Sequence, residues 1–276
     1  MSTNAPSSEE LARRIRLHAL RMVYGAKSSH IGSCLSLADV LAVVYADFAR
    51  VRPYEPDWPD RDRVLVSKGH AAAAVYAVLA EMGFFPISRL NAYGRDGQTL
   101  SGHVTHSGNP GVEASSGSLG HGLSLAAGFA LAAKRRGRPS RAIVFLSDGE
   151  CDEGSTWEAA LFAPHHGLAN LIAIVDYNKI QSFGRVEDVL ALEPFAEKWR
   201  AFGWEVREID GHSHPAIKAA LRDEHARTRP LVIIANTVKG KGVSFMENDL
   251  LWHYRPPSTA QLEQAIAEIE AMGPVA

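Results

Sequence analysis

Only two cysteines, Cys34 and Cys151, occur among 276 residues. So sparse a pair excludes a disulfide-stapled fold, and neither sits in the paired spacing that holds zinc. Charge of one sign is also missing. The formal net charge is −2 with acidic and basic residues interspersed, which leaves no basic footprint for nucleic acid and none for an acidic membrane. Long apolar runs are missing too: none is read as approaching the roughly 20 residues of a membrane helix. The opening residues MSTNAPSSEE are polar and acidic, unlike a secretory leader. No GxGxxG follows an apolar run, and no internal repeat or low-complexity linker interrupts the chain. The expectation is a cytoplasmic protein with residues 1–276 as one domain.

Apolar residues make up 46% and charged residues 22%, which is ordinary for a chain that buries a core. Histidine is abundant at 12 residues. Ser7-x-x-Glu10 reads as a capping box for a first helix. Ser36 reads as the cap of a second, whose stripe is Leu37, Val40, Leu41, Val44, Tyr45 and Phe48. Four apolar runs, at 64–66, 142–147, 171–176 and 231–236, read as strands covered on both faces. Glu205–Ile209 reads as a further strand. Helices are expected at 71–82, 123–134, 155–167, 193–202 and 213–227, and from Ser258 onward. Strands alternating with helices predict an α/β fold, a doubly wound parallel sheet. The stretch from Gly94 to Gly122 has no periodicity and is long for a compact domain, as ligand-covering loops are.

The run AIVFLSDGE and the run NLIAIVDYNK flank one helical segment. In a parallel strand–helix–strand unit both strand ends reach the same sheet edge, where open α/β sheets bind ligands. Asp148 and Asn178 would meet there, a carboxylate and an amide oxygen suited to a hard cation carrying a phosphate. Gly149 leaves room for that phosphate against the backbone. The bland alternative for the pair is a helix cap and a turn. His30, His70, His103 and His253 fall in glycine- or serine-flanked loops, where they could bind hydroxyls or phosphates and move protons. Singly, each reads as well as a packing residue. Glu153 and Glu158 are either surface charges on a helix's first turns or contacts to a second chain. Lys239 and Lys241 are either solvated or steer a diphosphate.

From about Leu11 to His253 the chain resembles the transketolase family of thiamine-diphosphate enzymes. The family's Gly-Asp-Gly…Asn motif stands here as SDGECDEG…YNKI, with Ser147 in place of the first glycine. The resemblance implies a thiamine-diphosphate-binding (diphosphate-type) fold. It makes Asp148, Asn178 and the Ile180 carbonyl ligands of Mg²⁺ (or Ca²⁺) on thiamine diphosphate, with the Gly149 backbone against the diphosphate. His70 in SKGH and His253 in WHY match histidines that reach the diphosphate and the reacting centre. SSHIGS is similar to the family's Ser-Gly-His-Pro-Gly and makes His30 a substrate contact. SGHV is similar to its Gly-His-Pro and makes His103 the histidine on the donor ketose. GSLGHG resembles Gly-Pro-Leu-Gly-Gln-Gly, so Gly117 and Leu119 would line the cofactor rings; Ser118 and His121 depart from that pattern.

A complete transketolase continues into a pyrimidine-binding domain, which this sequence lacks. The resemblance is therefore to the first subunit of a two-chain transketolase, with the other half on a C-terminal partner subunit, in an α2β2 assembly. Glu153 and Glu158 would lie near the cofactor at that boundary. The implied activity moves a two-carbon ketol unit from a ketose (phosphate) to an aldose acceptor, catalysed with His30, His103 and His253. The α-subunit of a 2-oxo-acid dehydrogenase shares the motif and the split. A non-catalytic assembly homologue is the reading from a different class.

Overall fold

The computed structural model describes residues 6–222 and 227–273. Ser7 accepts the Glu10 amide at 3.2 Å and starts α1, Ser8–Gly25. The reciprocal half of the expected capping box does not form. The Glu10 carboxylate goes instead to Arg13 and Arg14 at 2.7–2.9 Å, since two guanidinium donors outcompete one amide.

Helix α2 is Ile31–Val43, beginning well before the expected Ser36 cap. Ile31, Cys34 and Leu35 are all buried, and burying them extends the helix back to His30. Ser36 lies inside it and donates to Asp176 at 2.6 Å. A wider turn, Val44–Phe48, continues α2. By length and composition Ile31–Phe48 could cross a membrane, which corrects the reading that no stretch approaches that length. However, 83% of it is buried inside the protein, as the core helix of a sheet protein is.

The remaining elements follow in order: β1 (Arg63–Val66), α3 (Ala72–Glu81), α4 (Gly122–Arg135), β2 (Ala142–Ser147), α5 (Gly154–His165), β3 (Leu171–Tyr177), α6 (Val186–Val189), α7 (Phe195–Ala201), β4 (Glu205–Asp210), α8 (His214–Leu221), β5 (Leu231–Asn236) and α9 (Thr259–Ala271). The segment expected to be helical to Arg227 is helical to Leu221, and residues 223–226 lie outside the described residues. Ser258 and Gln261 complete a capping box for α9.

The five strands are all parallel, in the order β1-β2-β3-β5-β4. Alternate residues serve opposite faces. Ile143, Phe145, Ile172, Ile174 and Ile233 pack with α1, α2, α3, α8 and α9. Val144, Leu146, Ala173, Val175 and Ile234 pack with α4, α5 and α7. The fold is thus the expected α/β sheet wound on both faces. Each Ile, Val, Leu or Phe among them is worth roughly 1.5–3 kcal/mol of burial, so the central strands form a rigid platform. The edge strand β4 carries Glu205, Arg207 and Glu208, partly exposed, as edge strands do to discourage pairing with another chain.

Residues between the 3₁₀ turn Ile87–Ala92 and α4 form no helix or strand, yet the segment is tied down. Ser116 donates to the Val66 carbonyl at 2.6 Å, Val104 N–H to the Gly69 carbonyl at 3.0 Å, and Gly120 N–H to Glu150 at 2.8 Å. These bonds lash the loop to the carboxyl ends of β1 and β2. Gly69 is a close approach: a Cβ there would run into the Ser116 carbonyl.

Candidate active site

Parallel strands place the ends of β1, β2, β3 and β5 along one edge, and register sets Ser147 beside Asp176. Past these ends lies a cavity of about 290 Å³ whose lining includes His70, Asp148, Gly149, Asn178, Ile180 and Lys239. Asp148 is 2% exposed. Its Oδ1 accepts Gly149 N–H at 2.8 Å and its Oδ2 accepts Lys179 N–H at 2.6 Å. Asn178 donates its amide to Asp176 at 3.3 Å, and its Oδ1 accepts Ile180 N–H at 3.1 Å. The carboxylate of β2 and the amide after β3 therefore share one turn.

Burial and the neighbouring Asp176 carboxylate push Asp148 up to about 6. Burial would raise Asp176 as well, but its ion pair with Lys68, with Ser36 and Thr237 donating, holds it below the usual range. The two acids are pushed apart, one held ionised and the other ready to exchange a proton for a cation. Asp148, the Asn178 amide and the Ile180 carbonyl are all oxygen donors, which fits a hard divalent cation. No cluster of three or more His, Cys, Asp or Glu able to hold a metal occurs among the described residues. A cation here would need amide, carbonyl and phosphate oxygens.

Four loops bring the four histidines together. His30 precedes α2 with a left-handed backbone, φ 73°, and its N–H is fixed by the His253 carbonyl at 3.0 Å. His70 lies in the 3₁₀ turn Gly69–Ala71 after β1, His103 in the long loop, and His253 in the 3₁₀ turn Leu250–His253. Ring centroids lie 5.1 Å apart for His30–His70, 5.8 Å for His30–His103, 4.8 Å for His30–His253 and 5.7 Å for His70–His253. Burial, with His103 and Lys239 nearby, lowers His30 to about 4, and burial with Lys239 lowers His253 to about 3. Burial and Lys68 hold His70 well below its ordinary value. Imidazoles kept neutral at pH 7 can accept a hydrogen bond and so orient a hydroxyl.

Gly117 has φ +140°, and a Cβ there would sit 2.7 Å from the His103 ring. The glycine lets the loop lie on that histidine. Leu119 and Glu153 line the cavity. Ser118, His121 and Glu158 are exposed. Of the two lysines weighed together, Lys241 pairs with Glu247 at 3.5 Å and is absent from the cavity lining. Lys239 is 1% exposed and donates to the Ile180 carbonyl at 2.8 Å and to His253 Nδ1 at 3.0 Å. Burial lowers it to about 8, with Asp148 opposing the drop.

Sequence reasoning missed Glu150. It is fully buried and accepts from the Ser67 hydroxyl, Gly120 N–H at 2.8 Å and Ser147 N–H at 3.4 Å, while its own N–H bonds Ser147 Oγ at 3.2 Å. Ser147, the departure from the Gly-Asp-Gly pattern, thus receives a partner in Glu150. An acid directly after a glycine turn was the available signal.

Residues 7–268 match the family model described as transketolase, thiamine diphosphate binding domain. A 6-deoxy-6-sulfo-D-fructose transketolase subunit of a Clostridium species is 40% identical over 274 residues, covering 99% of this chain and 100% of that protein. An apulose-4-phosphate transketolase subunit of Phocaeicola vulgatus is 40% identical over 255 residues, covering 92% of this chain and 90% of that one. The solved transketolase of Campylobacter jejuni superposes with a TM-score of 0.90 at 32% identity, over 95% of this chain and 42% of that chain. That of Leishmania mexicana gives 0.89 at 30%, over 97% and 42%. The chain therefore spans about two-fifths of the solved transketolases and nearly the whole of the two subunits.

Proposed function

The chain belongs to the transketolase family and carries its thiamine-diphosphate-binding domain, and from that premise we propose that it is the diphosphate-binding subunit of a two-chain transketolase. Its partner would be a C-terminal subunit bearing the pyrimidine-binding domain, in an α2β2 assembly in the cytoplasm. Residues 1–276 would form its single domain. The reading is supported by relatives that are themselves subunits of this length. It is carried by one observation: four histidines from four loops converge, and two of them, His70 and His253, line the cavity with Asp148 and Asn178.

Asp148, Asn178 and the Ile180 carbonyl would hold Mg²⁺ or Ca²⁺, with the Gly149 backbone, His70 and His253 on the diphosphate. Gly117, Leu119 and Glu153 would line the rest of the cofactor. Bound thiamine diphosphate supplies the nucleophilic carbon and electron sink needed to cleave a ketose between C2 and C3. The chain's own part is to bind and move protons. His30 and His253, kept neutral by burial, would orient the donor's hydroxyls as hydrogen-bond acceptors, and with His103 would pass on the proton released on cleavage. The long loop lashed to β1 and β2 would keep water from the reacting carbons.

The donor would be a ketose with an anionic far end, since the relatives are named for a sulfonated ketose and a ketose phosphate. Residues gripping that end would lie on the partner. The test is to assay the two-chain complex with ketose phosphates and an aldose, measuring two-carbon transfer alongside CO₂ release from 2-oxo acids. Transfer without CO₂ is expected. CO₂ release without transfer would make the chain a dehydrogenase-type α-subunit instead.

A further inference from the structure

Lys239 reaches the cavity from the segment that follows β5, and that segment is irregular. A buried ammonium on a loop points reliably only if its backbone is held. Val238 N–H donates to His212 Nε2 at 2.8 Å. Two residues past Lys239, the Lys241 carbonyl accepts from Arg16 Nε at 3.2 Å. Both holders lead to one carboxylate. His212 Nδ1 lies 2.7 Å from Asp39 Oδ2, and Arg16 reaches Asp39 through both terminal nitrogens, at 3.0 and 2.5 Å. Asp39 thereby grips the chain on either side of Lys239, one arm accepting an N–H and the other donating to a C=O.

The chemistry fixes the proton positions. His212 Nε2 accepts the Val238 amide, so it carries no proton, and Nδ1 carries the one given to Asp39. His214 Nε2 lies 3.2 Å from Asp39 Oδ1, and its Nδ1 bonds Ser8 at 2.9 Å. Burial would raise Asp39, yet Arg16 and the two histidines hold it well below the usual carboxylate range. An ionised, four-donor carboxylate is a stiff anchor, as costly to leave half-satisfied as any buried polar network. It comes from α2, the same helix whose first residue follows His30.

We propose that His212 and Arg16, anchored on Asp39, are positioning residues that hold residues 238–241 so that Lys239 meets the cofactor's diphosphate. This rests on the reading that the cavity takes that diphosphate. None of the three lines the cavity, so each would act only through Lys239. The device gives a reason for a half-buried histidine paired with a buried aspartate at the sheet's edge, which the cofactor contacts leave unexplained.

The test is a double-mutant cycle on the full chain, titrated calorimetrically with inorganic diphosphate in the presence of Mg²⁺, with thermal melts run beside it. Lys239→Met should weaken binding roughly 10- to 100-fold, the worth of a charge-assisted bond to phosphate. His212→Leu should weaken it roughly three- to tenfold, the worth of one hydrogen bond. His212→Gln, whose amide oxygen can stand where Nε2 accepts Val238, should restore most of the loss; His212→Asn, which reaches only the Nδ1 position, should not. In the Lys239→Met background the His212→Leu loss should vanish. A His212→Leu loss that persists undiminished without Lys239, or no loss with Lys239 present, overturns the proposal. If His212→Leu does not fold, the Gln and Asn variants carry the same comparison in both backgrounds. A Lys239→Met chain that binds as wild type also overturns the proposal, whereas a wild-type chain that takes no diphosphate defeats the underlying reading instead, and the two titrations tell these outcomes apart.

Discussion

Lys239 Nζ donates to the Ile180 carbonyl at 2.8 Å, and so an ammonium stands on the oxygen that the metal reading assigns to a cation. The two cannot share that oxygen, because like charges at such separation repel strongly in a buried site. On loading, Lys239 would turn from the carbonyl to the phosphate oxygens. Lys239→Met should therefore change sign with the ligand. It should bind Mg²⁺ alone more tightly than wild type, and Mg²⁺ with diphosphate roughly tenfold or more weakly. Calorimetry with and without diphosphate reads both.

Asp148 gives the pH dependence. Its pKa in the folded chain is raised to about 6, above that of an unfolded aspartate near about 3.9. The native state thus holds a proton that the unfolded state has released, and this contribution to stability is full below about pH 4 and lost as pH rises to about 6. Carboxylates held low, such as Asp39 and Asp176, push the opposite way at more acidic pH. The observable is therefore the difference between wild type and Asp148→Asn in melts of the ligand-free chain, a relative loss of order 2–3 kcal/mol across that window. Mg²⁺ with diphosphate should reverse it, releasing a proton on binding below pH about 6.

Three of the clustered histidines, His30, His70 and His253, should be silent to pH where free histidine titrates. His30 and His253, lowered to about 4 and about 3, should show no change in ring resonances between about pH 5.5 and 8. As their folded pKa values are depressed, the stability they contribute is present above pH about 6.5 and lost as pH falls toward 4. His103→Asn should lower kcat by roughly 10²-fold or more in the assembled enzyme while leaving diphosphate affinity nearly unchanged, because His103 is outside the diphosphate cavity lining.

Glu150 ties three loops at once. Burial raises its pKa, but its partners are hydrogen-bond donors and call for an acceptor. Glu150→Gln turns one acceptor into a donor against Ser67, Gly120 or Ser147. The expected cost is about 1–3 kcal/mol in thermal or denaturant melts, together with faster amide exchange from Gly117 to Gly122.

The sheet was legible because strands buried on both faces need near-continuous apolar runs, and four of five have them. Asp148, Asn178 and the four histidines were legible because polar residues at strand ends and in glycine-flanked loops have no packing reason to be there. Helix α2 was misread at its start because Ser36 has a capping side chain, whereas the burial of Ile31 and Cys34 decides the boundary. The membrane-length run was missed because serines and Asp39 interrupt it. His212 and the contrast between Lys239 and Lys241 depend on contacts over tens to hundreds of residues, which local pattern does not encode; of Glu150, only its place directly after a glycine turn is local.

The central claim is that this chain holds one end of a cofactor whose other end needs a second chain. The direct measurement is two-carbon transfer from a ketose phosphate to an aldose, with thiamine diphosphate and Mg²⁺ saturating, as a pyrimidine-binding transketolase half is titrated into a fixed amount of this chain. The account predicts no turnover from this chain by itself and a rise to a plateau at one partner per chain. Full activity without the partner, or none at any ratio, would contradict it.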